Sequence, residues 1–410
     1  MILNMNCAHF GVCGGCRCEI AESGLSSPPP YASELLQKAD RVRALLSAYE
    51  IDDWKPIIPS PQEWHYRNKM ECAFGVWDDQ LVLGLRAAGR FDRVIDLQTC
   101  LLMSPQCLEV LTRTRQWAND HKLKGYHRRQ HVGDLRYLVL REGQNTGQRM
   151  AVLIAHPSLL SSPAGSGGGS MDSLPAAAGN DEKLDDLRQR IAPLLSTCWL
   201  GITDSKSDVA RADDMRLLWG SETMEERLGT IAYRISPYSF FQTNTRGTEK
   251  LYALLHDWGK DIGGALVDLY CGSGGITLAL ARAFDRVVGI DTNAGAIEDA
   301  RKNAALNGIE NAEFVCEDAL EFLKKLPGSK LSIQLSAMVV DPPRVGLHLQ
   351  ALRNLLEMNP HHLAYVSCNP ESLARDLQSL VPLYKIRSIQ PVDLFPHTAH
   401  VETLALLEHR

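Results

Sequence analysis

One cysteine stands where a folded sheet would present a reactive group. Residues 362–366 form a short, mostly apolar run that predicts a buried strand; a serine, Cys368 and an Asn-Pro pair follow it. In an open α/β sheet, reactive groups gather beyond the carboxyl ends of the strands, which is where a nucleophile would lie. The alternative is a small buried hydrophobe, because free cysteine is among the most buried residue types. The spacing alone leaves both interpretations open.

Two acidic residues lie next to other predicted strands and could act with this thiol. Asp341 ends an apolar run and is followed by Pro-Pro-Arg, and Glu402 lies at the start of the last strand-like run. Glu402 is a candidate general base, with His397 and His400 as rivals. Glu402 could instead be a solvated residue of an edge strand. These side chains meet Cys368 only if the sheet is doubly wound, so that its strand ends share one edge.

A glycine-rich turn follows the first strand-like run of the same region. It reads Asp-Leu-Tyr-Cys-Gly-Ser-Gly-Gly over residues 268–275, and its glycines permit close approach of the backbone to a ligand. A dinucleotide fingerprint needs a third spaced glycine, which is missing here. Asp291, about twenty residues on, could accept both hydroxyls of a ribose, and Asp318 could meet an adenine amino group. The pattern favours an S-adenosylmethionine site over a nucleotide or nicotinamide site.

Four of the eleven cysteines crowd into the first eighteen residues. Cys7, Cys13 and Cys16 have the spacing C-x5-C-x2-C in a glycine-rich loop, where thiolates can converge on a metal centre. Cys100 follows a strand-like run and is the predicted fourth ligand, with Cys18 as its local competitor. The spacing leaves an iron–sulfur cluster and a structural zinc ion equally open. An odd number of cysteines without a secretory signal argues against a disulfide framework.

Alternating strand and helix patterns after about residue 245 position the acidic residues, the glycine-rich turn and Cys368. They predict a parallel sheet wrapped on both faces. Earlier strand-like runs are separated by turn residues and predict a mixed, mostly antiparallel unit; they are Lys69–Val76, Leu81–Leu85, Leu135–Leu140, Met150–Ile154, Cys198–Ile202, Met215–Trp219 and Thr230–Ile235. Residues 31–48 show helical spacing, and residues 161–182 are rich in Gly, Ser, Ala and Pro, which predicts a flexible loop.

A basic segment with an aromatic residue lies within the middle region. Residues 121–131 read His-Lys-Leu-Lys-Gly-Tyr-His-Arg-Arg-Gln-His in a chain whose net charge is −6. The segment could neutralise phosphates or could be a solvated surface turn.

Composition is that of an ordinary globular protein, with 45% hydrophobic and 22% charged residues in a chain of 410. This length predicts two or more domains. No run of 18 apolar residues and no secretory signal is visible, so we expect a cytoplasmic protein without a membrane partner.

The motifs together resemble the RNA uracil-C5 methyltransferases of the RumA/RumB/TrmA family. The resemblance extends over nearly the whole chain, and its combination of motifs is highly specific. The matching stretches are Tyr66–Met70, Ser239–Asn244, Asp268–Gly275, Asp341–Gly346, Tyr365–Pro370, Ser372–Asp376, Phe395–Glu402 and the cysteine-rich N-terminal loop.

The resemblance implies a nucleophile at Cys368 and a base at Glu402. Because C5 of uracil is a poor nucleophile, a thiolate first adds to C6 and makes an enolate that can attack a methyl group. A base then removes the C5 proton so that the cysteine can leave. Asp341 would bridge the methyl donor and the target base. Donor contacts are expected at Gln242, Tyr270, Gly272, Gly274, Gly275, Asp291 and Asp318.

The resemblance also favours a [4Fe–4S] cluster on Cys7, Cys13, Cys16 and Cys100. The bacterial transfer-RNA branch lacks this cluster, which disfavours that branch. The chain starts almost at the cluster, without room for an N-terminal TRAM barrel, and residues 395–400 look like the RumB type. We therefore expect a flipped uridine of 23S ribosomal RNA as substrate, with transfer RNA or a non-catalytic iron–sulfur RNA-binding protein as alternatives.

The predicted organisation has three parts, in a chain expected to act as a monomer. Residues 1–30 and the region around 100 form the iron–sulfur segment. Residues 31–240 form a central RNA-binding α+β domain that contains the flexible loop. Residues 241–410 form a doubly wound, Rossmann-like methyltransferase domain.

Overall fold

A computed structural model describes residues 7–16, 30–78, 80–160, 181–328, 331 and 335–410. Cys18 and residues 161–180 of the predicted flexible loop lie outside these ranges. The described residues fall into two compact units. The first contains 7–16 and Trp64–Met224, and the second contains 30–63 and Glu225–Arg410. The division differs from the predicted boundary at 240, because residues 30–63 and 225–240 belong with the second unit.

The elements are numbered in chain order. The strands are β1 Ile51–Trp54, β2 Lys69–Trp77, β3 Gln80–Ala87, β4 Arg90–Asp96, β5 Leu135–Glu142, β6 Arg149–Ala155, β7 Thr197–Ile202, β8 Asp214–Gly220, β9 Met224–Leu228, β10 Ile231–Ile235, β11 Ala265–Leu269, β12 Arg286–Asp291, β13 Ala312–Cys316, β14 Leu335–Val340, β15 His362–Ser367, β16 Tyr384–Val392 and β17 Glu402–His409. The described α-helices are α1 Tyr31–Leu45, α2 Pro105–Asp120, α3 Asp181–Ile191, α4 Thr245–Gly259, α5 Gly275–Leu280, α6 Ala294–Leu306, α7 Ala319–Lys325, α8 Leu349–Met358 and α9 Pro370–Leu380. No helix of the described chain has both the length and the hydrophobicity of a membrane span.

The first unit is built on a seven-stranded sheet in the order β4-β3-β2-β5-β6-β7-β8. Every neighbouring pair is antiparallel except β6 and β7, so the predicted mixed, mostly antiparallel unit is confirmed. Helix α2 covers this sheet: Val110, Leu111 and Trp117 are fully buried in the same core as strand residues such as Leu138. One predicted strand belongs elsewhere, because β10 pairs with β9 in the second unit.

The second unit contains an eight-stranded sheet in the order β1-β16-β17-β15-β14-β11-β12-β13. All of its strands run parallel except β17, which is antiparallel to both neighbours. The chain runs outward from β11 to β13 and then returns to β14 on the other side of β11, as a doubly wound sheet requires.

Helices cover both faces of this sheet. Val267 on β11 packs in one core with Leu373 of α9, whereas its neighbour Leu266 packs in a second core with Leu251 of α4. Successive strand residues point to opposite faces, and both sets are buried. The predicted α/β fold is therefore confirmed.

Candidate active site

Three predicted residues meet at the carboxyl edge of the second sheet. Asp341 directly follows β14, and Cys368 directly follows β15. Because Ser367 of β15 pairs with Thr403 of the antiparallel β17, the next residues in each direction, Cys368 and Glu402, face each other. The thiol and both carboxyl groups thus lie close enough to influence one another electrostatically.

Cys368 is partly exposed, unlike the cysteines of the hydrophobic cores. This accessibility contradicts the interpretation as a small buried hydrophobe. Burial raises the pKa of its thiol to about 11, and the charges of Glu402 and Asp341 add to the shift. The Arg344 guanidinium acts in the opposite direction and lowers this pKa. The thiol is therefore protonated at neutral pH in the free protein, and Arg344 is the nearby group that favours its thiolate.

Glu402 is buried, with 2% of its surface exposed. Strand β17 lies between β15 and β16, so Glu402 is not a solvated residue of an edge strand. Its Oε1 has no hydrogen-bond partner among the described residues. Burial and the neighbouring Asp341 raise the pKa of Glu402 well above its ordinary value, and burial likewise raises the pKa of Asp341. A buried carboxyl oxygen without a partner is costly for structure alone, and it fits a group that accepts a proton.

The two histidines considered as rival bases have other contacts. The backbone N–H of His397 donates to Glu34 Oε1 at 2.8 Å, and its ring Nδ1 lies 3.4 Å from Glu34 Oε2. His400 contacts Arg344 Nη2 at 2.6 Å. The described contacts of these two histidines are thus with Glu34 and Arg344, and not with Cys368 or Glu402.

A small cavity beside Asp341, which we call the donor cavity, brings together several of the residues predicted to contact the methyl donor. Gln242, Tyr270, Gly275 and Asp341 all line it. The side chain of Gln242 donates from Nε2 to Asp341 Oδ2 at 3.4 Å. Asp341 therefore lies both in this cavity and at the sheet edge that carries Cys368. This position agrees with the expectation that Asp341 lies between the methyl donor and the target base.

The glycine-rich turn shapes the floor of this cavity. Tyr270 and Gly274 adopt φ values of +69° and +86°, which turn the chain sharply from β11 into α5. A Cβ at Gly275 would lie 2.3 Å from the Oη of the half-buried Tyr252, so a larger residue there would require this side chain to move. The backbone N–H of Gly272 donates to Asp291 Oδ2 at 3.0 Å, which fixes this carboxylate at the turn.

Asp318 has a structural role that the sequence did not reveal. Its Oδ1 accepts a hydrogen bond from Leu320 N at 2.9 Å and so caps helix α7. The cap uses part of the acceptor capacity of the carboxylate, which has further lone pairs available.

Two residues of this site were missed by the sequence reasoning. Arg344 was seen only as the end of an Asp-Pro-Pro-Arg run, although its charge acts on Cys368. Phe240 lines the donor cavity with 62% of its surface exposed, and its carbonyl accepts from Ser273 Oγ at 2.8 Å. A large exposed aromatic next to Gln242 was the available signal.

In the first unit, the four predicted metal ligands lie in one hydrophobic core. Cys7, Cys13, Cys16 and Cys100 are each at most 6% exposed and share this core. Burial raises the pKa of Cys13 and of Cys100, and the charge of Cys7 raises both further. Four buried thiols in one core, drawn from the N-terminal loop and a distant segment, form a donor set that fits a thiolate-bound metal centre.

Comparisons with known proteins show what the chain as a whole is similar to. The family model described as tRNA (uracil-5-)-methyltransferase matches residues 183–410. An uncharacterized RNA methyltransferase of Caldanaerobacter subterraneus is 34% identical over 98% of this chain and 84% of the relative. Another, of Chlorobaculum tepidum, is 33% identical over 98% of this chain and 82% of the relative.

A solved structure is similar over most of the chain. It is the tRNA (uracil-54, C5)-methyltransferase of Pyrococcus abyssi in complex with S-adenosyl-L-homocysteine. The TM-score is 0.72 at 29% sequence identity, covering 92% of this chain and 83% of that one.

Proposed function

Because the chain belongs to the tRNA (uracil-5-)-methyltransferase family, we propose that it makes 5-methyluridine in 23S ribosomal RNA through a covalent cysteine intermediate. The family carries out S-adenosylmethionine-dependent methylation of RNA at C5 of uracil. The observation that carries the proposed mechanism is the strand register that sets Cys368 opposite Glu402 at the edge of the donor cavity.

Cys368 acts first. Its thiolate adds to C6 of the uracil ring, which moves electron density to C5. Arg344 favours this thiolate by opposing the effects of burial and of the two carboxylates on its pKa. S-adenosylmethionine, when bound beside Gln242 and Tyr270, supplies the methyl group that C5 takes up.

Glu402 completes the reaction. In its ionised form it removes the C5 proton, and the electron pair of that C–H bond restores the double bond while the Cys368 sulfur leaves C6. Its Oε1, which has no described hydrogen-bond partner, is available for this proton. Asp341 accepts a hydrogen bond from the Gln242 amide and lies between the methyl donor and the target uracil. The target uridine must leave its stack, since C6 is blocked in a stacked base.

The choice of 23S ribosomal RNA rests on the resemblance of residues 395–400 to the RumB type. Transfer RNA is a second candidate because the similar Pyrococcus abyssi enzyme is a tRNA (uracil-54, C5)-methyltransferase. Nucleoside mass spectrometry on both RNAs from cells with and without the gene separates the two. A 5-methyluridine that disappears from one 23S fragment and returns with the wild-type protein supports the first. If 5-methyluridine disappears from transfer RNA alone, transfer RNA becomes the proposed substrate. If it disappears from neither RNA, both candidate substrates are contradicted.

We also propose that Cys7, Cys13, Cys16 and Cys100 hold a [4Fe–4S] cluster. The support is the burial of all four cysteines in one core, together with the resemblance of the N-terminal loop to the cluster-bearing family members. A bound cluster would tie the N-terminal loop to the segment around Cys100 and neutralise thiolates that burial otherwise disfavours.

A further inference from the structure

A large cavity lies in the first unit and contains none of the residues assigned to methyl transfer. It has a volume of about 380 Å³, within the range of pockets that bind small organic ligands. We call it the arginine pocket. It is lined by Phe74, Gly75, Val76, Arg86, Asp92, Val94, Tyr126, His127, Arg128, Arg129, Arg136, Tyr137 and Asp208.

The arginine pocket is positively charged in an acidic chain. Four guanidinium groups and two carboxylates line it, which leaves two positive charges in excess. Arg86 and Arg128 both pair with Asp208, at 2.6 and 3.2 Å, whereas Arg129 lies 3.9 Å from Asp92 and is 81% exposed. The excess charge at an open cavity attracts an anion.

Arg136 is the strongest sign of an anionic ligand. It is only 3% exposed, and its Nη1 and Nη2 donate to the carbonyl oxygens of Ser205 and Ser207. Its Nε has no partner among the described residues. A buried guanidinium whose described hydrogen-bond partners are carbonyls, not carboxylates, is costly unless an anion joins it.

Aromatic rings complete the chemistry of the cavity. The Arg136 guanidinium lies 4.4 Å from the centroid of the Tyr126 ring, and Phe74 and Tyr137 also line the walls. Proteins bind nucleotides of single-stranded RNA with this combination, in which bases stack on aromatic rings and guanidinium planes while arginines contact the phosphates.

We propose that the arginine pocket binds one nucleotide of the substrate RNA. Its phosphodiester group is held by Arg128, Arg129 and Arg136, and its base stacks on Tyr126. The proposal rests on the proposed function for the identity of the RNA, and it adds a binding site on the first unit that is separate from the residues of methyl transfer.

The test measures binding of a fluorescein-labelled oligouridylate of about twelve nucleotides to the full-length protein by anisotropy at several salt concentrations. Arg129→Glu should weaken binding about tenfold and lower the slope of log affinity against log salt by about 1. Arg129→Lys keeps the charge and should bind like the wild type. Tyr126→Leu should weaken binding and leave the salt slope unchanged, because it removes stacking and no charge.

Arg216→Glu is the matched control for location. Arg216 lies on β8, at the opposite edge of the same sheet from β4, and pairs with Asp214. If Arg129→Glu and Arg216→Glu bind the oligonucleotide equally well, the arginine pocket is not an RNA site. Displacement of the oligonucleotide by equimolar uridine monophosphate would also overturn the proposal, because the ligand would then be a free nucleotide.

A parallel methylation assay separates this inference from the proposed function. Arg129→Glu should raise the KM for RNA and leave kcat unchanged, since Cys368 and the donor cavity remain intact. If the wild type methylates no uridine, the proposed function fails while the binding comparison still decides the pocket. If methylation is normal and Arg129→Glu changes neither KM nor affinity, only the pocket inference fails.

Discussion

Lys38 of α1 donates from Nζ to Asp393 Oδ1 at 2.8 Å, and neither side chain is more than 5% exposed. The same ammonium group pairs with Glu34, one turn earlier on the helix, which in turn accepts the backbone N–H of His397. Helix α1 therefore fixes the segment that runs from Asp393 into Glu402. A charged network of this kind holds the segment by specific contacts.

Lys38→Met should destabilise the second unit by about 3 to 5 kcal/mol. The substitution preserves much of the side-chain volume but leaves the Asp393 carboxylate buried without its cation. Burial already raises the pKa of Asp393, and Lys38 is the main group that lowers it, so the variant should also push this pKa higher. Urea unfolding followed by circular dichroism measures the loss of stability.

Lys302→Met is the matched control for that experiment. Lys302 also follows a glutamate by four residues on a helix, but it is 57% exposed. An exposed pair of this kind contributes about 0.5 kcal/mol or less. Equal losses in the two variants would mean that the Lys38 network adds nothing to the stability of the loop.

The proposed catalytic roles predict opposite behaviour for two variants. Cys368→Ala should bind RNA and methyl donor but form no covalent complex, because C6 has no nucleophile. Glu402→Gln should accumulate a covalent protein–RNA complex, because the adduct forms and the C5 proton is not removed. Denaturing gel electrophoresis with labelled RNA distinguishes the two. A complex that persists in Cys368→Ala would exclude this thiol, and turnover by Glu402→Gln would transfer the base role to another group such as His400.

The reactivity of Cys368 towards iodoacetamide should report its raised pKa. Because burial and the neighbouring carboxylates raise the pKa to about 11, alkylation in the folded protein should rise about tenfold per pH unit from about pH 8 to pH 10. In urea, the alkylation rate of the same cysteine should level off once the pH exceeds the ordinary thiol pKa of about 8.5. Peptide mass spectrometry measures both rates.

Arg344→Met should slow this alkylation at every pH, since it removes the cation that favours the thiolate. A folded-state profile that coincides with the profile in urea would contradict the raised pKa. A faster reaction in Arg344→Met would mean that the arginine shields the thiol and does not activate it.

The sequence predicted the doubly wound sheet and the site residues at its edge because both depend on local patterns. Strand–helix alternation determines the topology, and strand ends then bring Asp341 and Cys368 to one edge. The opposition of Cys368 and Glu402 was harder to foresee, because it depends on the register of an antiparallel strand inserted between parallel ones. Register across a sheet is a tertiary property that periodicity within one strand does not contain.

Elements stabilised by polar contacts were missed. Helix α2 buries Thr114 and Arg115 on its packed face, which interrupts the apolar stripe that predicts a helix. Arg115 pairs at 2.9 Å with Asp96, which lies outside the helix at the end of strand β4. Strand β1 reads Ile-Asp-Asp-Trp, and its Asp52 pairs with Lys385 and Arg387 of β16. Such elements become visible only when their charged partners are known.

Asp268 gives the second unit a predictable pH dependence. Burial raises its pKa to about 7, although a hydrogen bond from Thr277 acts against the shift. Between about pH 4 and pH 7 the native state therefore holds a proton that the unfolded chain has lost, so stability should fall as the pH rises, by up to about 1.4 kcal/mol per unit. Asp268→Asn cannot titrate. Urea unfolding of both proteins across this range should show the wild type losing stability relative to the variant, and a constant difference would contradict the raised pKa.

The identity of the fourth metal ligand can be decided by three cysteine variants. The proposed cluster predicts a brown protein with about four irons per chain when it is purified without oxygen. Cys100→Ala should lose most of the iron and the absorbance, because a buried cluster has no replacement for a missing thiolate. Cys107→Ala removes another buried cysteine of the same core and should keep both the iron and the absorbance. This variant controls for the loss of packing. Cys18→Ala tests the competing ligand, and iron loss there with retention in Cys100→Ala would reverse the assignment. A colourless wild-type protein that contains one zinc ion would contradict the cluster itself.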